Sequence, residues 1–382
     1  MPTLIKNGLV YHNKARSFLP LDVLLGGGRI AAIANEGMLD GYDATVIDAQ
    51  GCRLTAGLID VHTHGIAGTD FLCADKDALK KMSEAYLSHG VTTVMPTLAS
   101  GTLDSMVDAA KRINDFCEIG NGARFCGVHI EGRYLNPKKR GAHAEELLVA
   151  PNADELDRFA ALGLKSLHIS AALELDSDKS FLNKALSIGA TLSLGHTNAT
   201  YAQAVELEAS GVTAYTHLYN AMPPLHHREG GAVAACFNGN SFGELICDGI
   251  HVAREVVALT YRIKRDRLTL ISDSMEATDC PDGEYSIAGN AVNVVGGIAR
   301  TLDGALAGST LTLDRAIENL MSFCNISLED AIINATEAPA REIGIFDDRG
   351  SIDVGKRADI LFIDKDNFKI NSVMLGGEII AL

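Results

Sequence analysis

Leu58-Ile59-Asp60-Val61-His62-Thr63-His64-Gly65 is an apolar run that closes on two histidines and a glycine. Side chains at i and i+2 of a strand share a face, so both imidazoles can aim at one ion. A strand-end histidine standing alone is usually just a hydrogen-bonded residue. Here the same setting recurs downstream. Phe125-Cys126-Gly127-Val128-His129-Ile130 ends at Glu131, Ala190-Thr191-Leu192-Ser193-Leu194-Gly195 at His196, Val212-Thr213-Ala214-Tyr215-Thr216 at His217, and Arg267-Leu268-Thr269-Leu270-Ile271-Ser272 at Asp273. One such edge can be a helix cap or a loop contact; five metal-capable edges are hard to explain that way. Imidazole and carboxylate donors together suit zinc- or iron-class ions better than magnesium, which prefers oxygen and water.

Working outward from these edges, strand and helix patterns alternate. Helices are predicted near 76–89, 103–117, 153–162, 177–188, 200–210 and 253–263, with further strands at Val91-Thr92-Thr93-Val94-Met95, Ser166-Leu167-His168-Ile169-Ser170 and Leu245-Ile246-Cys247. The eight strands predict an α/β fold, a (β/α)₈ TIM-type barrel over 55–342, whose sites lie at the C-terminal strand ends. Residues 281–308 turn glycine-rich and strand-like and read as a β insertion, and helices near 311–323 and 328–340 follow. Residues 1–54 and 343–382 both read as short strands with turns, which predicts one small β domain built from the two chain termini.

With 382 residues and 47% hydrophobic content the chain can bury a large core. Its formal charge of −16 disfavours nucleic-acid or anionic-membrane partners. An anionic substrate then needs a local positive cluster. His226-His227-Arg228, just beyond the His217 strand, offers one, and we expect this cluster to clamp a phosphate or carboxylate. The eight cysteines are scattered without a CxxC, no leader-like start is present, and no run reaches membrane-spanning length. A soluble cytoplasmic protein is the expectation.

A metal held by histidines and a carboxylate polarises a carbonyl and acidifies bound water, while a nearby aspartate can move a proton to a leaving group. Amide or amidine hydrolysis follows, with Asp273 as the candidate base and metal ligation as a compatible second role. His143, in the loop after the third strand, and Asp248-Gly249-Ile250-His251, after the seventh, add donors on the same face.

The order HxH, His129-Ile130-Glu131-Gly132, Leu135-Asn136-Pro137-Lys138-Lys139-Arg140-Gly141-Ala142-His143, Gly195-His196-Thr197-Asn198-Ala199-Thr200, Thr216-His217-Leu218-Tyr219-Asn220-Ala221-Met222, Asp248-Gly249-Ile250-His251 and Asp273 resembles the N-acetylglucosamine-6-phosphate deacetylases of the amidohydrolase superfamily, over nearly the whole chain. The resemblance implies a barrel with a small β-sandwich, a homodimer, and hydrolysis of N-acetylglucosamine 6-phosphate to glucosamine 6-phosphate and acetate. It implies Glu131, His196 and His217 as ligands of the main metal and Asp273 as proton acceptor and donor. His62 and His64, which some members lack, allow a second ion, with Glu131 bridging and Asp273 on that ion. It also implies sugar-phosphate contacts from Ala142, Asn220, Ala221, Arg228, Asp248, Gly249, Ile250, His251, Leu306, Ala307 and Gly308, and places His143 near the acetyl carbonyl. One or two divalent ions are expected, zinc foremost and iron second.

Some positions depart from the family pattern. Arg133 stands where proline is usual and is expected to reach the pocket mouth; Ser272-Asp273-Ser274-Met275 replaces the commoner TDAM, and Ile169-Ser170-Ala171-Ala172-Leu173-Glu174 lacks the usual APE. Leu225-His226-His227-Arg228-Glu229 also resembles the N-acetylgalactosamine-6-phosphate deacetylases, which leaves the C4 epimer open. A dihydroorotase-like amidohydrolase is disfavoured, because the fourth strand ends without the lysine that group carboxylates.

Overall fold

In the computed structural model, which describes residues 1–116 and 122–380, eight parallel strands wrap into a nearly closed barrel. We number them β1 (Leu58–Thr63), β2 (Val91–Leu98), β3 (Val128–Glu131), β4 (Leu167–Ala171), β5 (Thr191–Leu194), β6 (Ala214–Tyr215), β7 (Phe242–Ile246) and β8 (Leu268–Ile271). Neighbours pair in chain order from β1 to β8. The seam between β8 and β1 is drawn together by the Asp273 N–H, which donates to the His62 carbonyl at 2.9 Å.

The helices start where the sequence supplies acceptors for otherwise unpaired N–H groups. Asp75 caps Lys76–Ser88 by accepting the Ala78 N–H, and Thr200 with Gln203 forms a full capping box on Tyr201–Ala209. The predicted helix 103–117 is Leu103–Phe116, its last expected residue lying outside the described residues. That at 153–162 is a 3₁₀ turn, Ala153–Glu155, running into a short helix, Leu156–Ala160. The predicted helix 328–340 breaks into Leu328–Ala331, a 3₁₀ stretch Ile332–Ala335 and Glu337–Glu342. Pro339 has no N–H to give the Ala335 carbonyl, so the last helix starts only two residues before it, where that N–H is not needed. A further helix, Gly231–Asn238, was not foreseen, because its opening glycines disguise the Ala-rich run that packs against Tyr201–Ala209.

Both termini enter one curled nine-stranded sheet. Ser17–Gly26 pairs through its first half with Leu9–His12 and through its second with Thr3–Lys6, which folds the sheet around Ile5, Val10, Val23, Leu54, Ile360 and Met374. Arg53–Ala56, which leads directly into β1, pairs with Ile360–Ile363 from the far end of the chain. The glycine-rich stretch after β8 forms a three-stranded antiparallel sheet, Gly283–Ile287, Asn290–Val295 and Ile298–Thr301. Its Ile287 and Ala288 reach over the C-terminal mouth of the barrel. Among the described residues no helix is long and apolar enough to cross a membrane.

Candidate active site

The ligand candidates sit where the strands end and the backbone turns sharply. His196, His217 and Asp273 follow β5, β6 and β8 with φ of 45°, 28° and 48°, a left-handed conformation that L-residues adopt at a cost of order 1–3 kcal/mol. The bend turns each side chain inward over the mouth. Glu131, the last residue of β3, lies at the centre and is only 2% exposed.

Each oxygen of Glu131 meets its own pair of imidazoles. Oε1 lies 3.3 Å from His196 Nε2 and 2.8 Å from His217 Nε2, while Oε2 lies 3.2 Å from His62 Nε2 and 2.9 Å from His64 Nε2. Asp273 Oδ1 faces the second pair, 3.3 Å from His64 Nε2 and 3.6 Å from His62 Nε2. All six side chains are buried.

Second partners decide which ring nitrogen faces inward. The Lys139 carbonyl accepts from His196 Nδ1 at 2.8 Å, and Glu244 Oε2 accepts from His62 Nδ1 at 2.8 Å. With one proton held on Nδ1, each ring presents its Nε2 to the centre, the orientation typical of metal-ligating histidine. His196 Nε2 and His217 Nε2 approach within 3.0 Å of each other, so four imidazole nitrogens crowd the two oxygens of one buried carboxylate. Imidazole and carboxylate donors converging this closely in a buried space fit a divalent cation.

The electrostatics agree. Burial works against charge on Glu131, yet His62 and the His196 and His217 hydrogen bonds hold its carboxyl well below the usual carboxylate range. Asp273 is likewise held low against burial by His62 and His64. Burial also opposes charge on His64, but hydrogen bonds to Asp273 and Glu131 carry it up to about 9. These carboxylates demand nearby positive charge, which ion-free imidazoles meet with protons and bound cations would meet directly.

His143 differs. Burial, reinforced by His196, pushes its pKa well below the ordinary value, so it is neutral. The Ser100 N–H donates to its Nδ1 at 3.4 Å and the Ser100 hydroxyl lies 2.8 Å away, leaving the proton on Nε2, 4.0 Å from Glu131 Oε2. A neutral N–H donor thus faces the mouth.

His64, Glu131, His143, His196, His217 and Asp273 line one cavity with Ala142, Asn220, Ala221, His251, Leu306 and Gly308. His62 lies beneath it. Asp248 backs His251, its Oδ2 2.7 Å from His251 Nδ1, and with Ile250 lines an adjoining cavity that shares His251 and Gly308. Gly249 and Ala307 line neither. Arg228 is exposed and lies outside both cavities, with Nη1 2.7 Å from His227 Nε2. Arg133 does not reach the mouth as expected: Glu155 accepts from its Nε at 2.9 Å and its Nη2 at 3.0 Å, and the Gly101 carbonyl from its Nη1. Nothing in sequence pairs residues 133 and 155, because that partnership forms only across the loop. Sequence reading also missed Ser100, the Lys139 carbonyl and Glu244. The last had a faint signal, a carboxylate in register with the inward face of β7.

Residues 53–380 match the profile of the amidohydrolase family. The chain is 34% identical to N-acetylgalactosamine-6-phosphate deacetylase of Escherichia coli O157:H7, over 85% of this chain and 87% of that protein. It is 33% identical to N-acetylglucosamine-6-phosphate deacetylase of Vibrio furnissii, over 86% and 82%. The crystal structure of N-acetylglucosamine-6-phosphate deacetylase from Pasteurella multocida superposes with a TM-score of 0.91 at 28% identity and covers 100% of both chains.

Proposed function

The chain belongs to the amidohydrolase family, and from that premise we propose that it hydrolyses the acetamide of N-acetylglucosamine 6-phosphate to glucosamine 6-phosphate and acetate. One observation carries the reading: two pairs of imidazoles meet the two oxygens of one buried carboxylate beside Asp273. Glu131, His196 and His217 would hold one divalent ion, and His62, His64, Glu131 and Asp273 a second, with zinc the proposed metal and iron the alternative. Such an ion polarises a carbonyl and lowers the pKa of bound water.

The chain's own groups then divide the work. Asp273 takes a proton from the attacking water and delivers it to the amine nitrogen as the C–N bond breaks; the water oxygen leaves in acetate. The His143 Nε2–H donates to the acetyl oxygen, where negative charge grows. Ala142, Asn220, Ala221, His251, Leu306 and Gly308 would contact the sugar phosphate, with Asp248 fixing the His251 ring and Gly249, Ile250 and Ala307 shaping the loops. Arg228 is exposed, and with one guanidinium nitrogen against His227 it has further donors for the phosphate.

A second substrate, N-acetylgalactosamine 6-phosphate, is favoured by the 34% identical relative and by the 225–229 segment. We further propose a cytoplasmic homodimer, which light scattering on the purified protein tests. The function is tested by acetate release from both 6-phosphorylated N-acetylhexosamines and their unphosphorylated forms, with metal content measured on the same sample. Release that needs the phosphate is expected, and equal rates without it would remove the phosphate clamp.

A further inference from the structure

We propose that Glu244 is a positioning residue that ties the two imidazole pairs together from below, fixing His62 through its ring and His217 through its backbone. This rests on the metal-dependent reading above. β7 carries Glu244 into the barrel bore, where it is fully buried. A single oxygen, Oε2, accepts from His62 Nδ1 at 2.8 Å and from the His217 N–H at 3.2 Å, and the Glu244 carbonyl accepts the Leu218 N–H at 2.8 Å. His62 belongs to the pair on Glu131 Oε2, and His217 to the pair on Oε1.

The arrangement has two effects. A carboxylate can only accept, so His62 keeps a proton on Nδ1 and, with an ion bound, would turn the Nε2 lone pair to the centre as a stronger ligand. The His217 turn, at φ 28°, needs something to hold it, and the two N–H groups donated to Glu244 do so. Glu244 is itself braced. His168 Nε2 lies 3.6 Å from its Oε1, and Glu342 stands beside it with the Thr269 hydroxyl donating to Glu342 Oε2.

A buried residue that merely fills the bore would change stability without discriminating between the two pairs. Cobalt(II) titration of the purified full-length protein, followed by d–d absorption, tells the two apart in wild type, Glu244→Gln and Glu131→Gln. Wild type is expected to take two ions per chain and Glu131→Gln to lose both. Glu244→Gln keeps the volume but not the charge; its amide oxygen can still accept the His217 N–H, so the His217 site should fill near wild-type affinity while the His62 site should need about 10- to 100-fold more cobalt, the range found when partners of ligating histidines are removed. Two ions at wild-type affinity in Glu244→Gln would overturn the inference and leave the site standing. No ligand-field bands in wild type would instead bring down the metal site itself. If Glu244→Gln does not fold, the cobalt-loaded wild type answers alone: a hyperfine-shifted His62 Nδ1 proton that persists in D₂O is expected, and its absence overturns the proposal.

Discussion

In the proposed reaction Asp273 would relay the proton and His143 stand as a fixed donor, and each role makes a prediction. Asp273→Asn should keep bound metal, because an amide oxygen can still face His64, yet lose about 10²- to 10⁴-fold in kcat; wild-type turnover with full metal content would end its assignment as the base. His143 and His129 are buried and held neutral, well below the ordinary histidine pKa, by burial first and by neighbouring imidazoles second. Their folded pKa values lie below the unfolded one, so the unfolded chain binds more protons once pH drops under about 6.5. Stability should therefore fall between pH 6.5 and lower values, by up to about 1.4 kcal/mol per pH unit for each group, and not change on their account above it. Urea midpoints from pH 7.5 to 5.5 check this, with a shallower decline expected in His129→Gln. At this scale the convergence of side chains was legible wherever a candidate ligand ended a strand, because a period of two assigns a face. It was silent where partners meet only in three dimensions, as for Arg133 with Glu155 and Ser100 with His143.

Strand ends and the loops leaving them carry most of the geometry. Gly132 follows Glu131 directly, and a Cβ there would come within 2.4 Å of the Ser100 N. Gly141 has φ +57° and would place a Cβ 3.1 Å from His196 Cε1. Gly132→Ala should push the β3 and β2 ends apart and lower both metal content and thermal stability, whereas Gly189→Ala, with open space around its Cβ site, should cost only the backbone strain of its φ of +80°. Differential scanning calorimetry of the two variants tests the contrast. The barrel strands were legible as apolar runs between helical patterns, yet their edges shifted. β7 was expected from Leu245 and begins at Phe242, because a carboxylate at 244 reads as a boundary in an ordinary strand and is an interior residue in a polar barrel bore. β6 shortens to Ala214–Tyr215 because the Val212 N–H stays bonded to Leu207 at the preceding helix end.

Across the molecule, the curled terminal sheet joins the ends of the chain, and its Arg53–Ala56 strand runs straight into the histidine-bearing β1. The barrel topology could be foreseen from strand and helix alternation, whereas the pairing of residues 53–56 with 360–363 could not, since short strands at opposite termini give no register signal. Metal removal belongs to this scale: a ligand that binds only the folded chain stabilises it by about 2.7 kcal/mol at a hundredfold excess over Kd. Chelated protein should melt earlier, and recover on adding zinc. The seam of the barrel draws these threads together. The amide of Asp273 closes onto the carbonyl of His62, and both residues also face the pocket through their side chains. If the proposed ions bind there, their occupancy and the opening of the seam would be one equilibrium read from two sides. The Asp273 amide should exchange its deuterium far more slowly in the loaded protein than in the stripped one, making a single backbone proton a gauge of whether the pocket is filled.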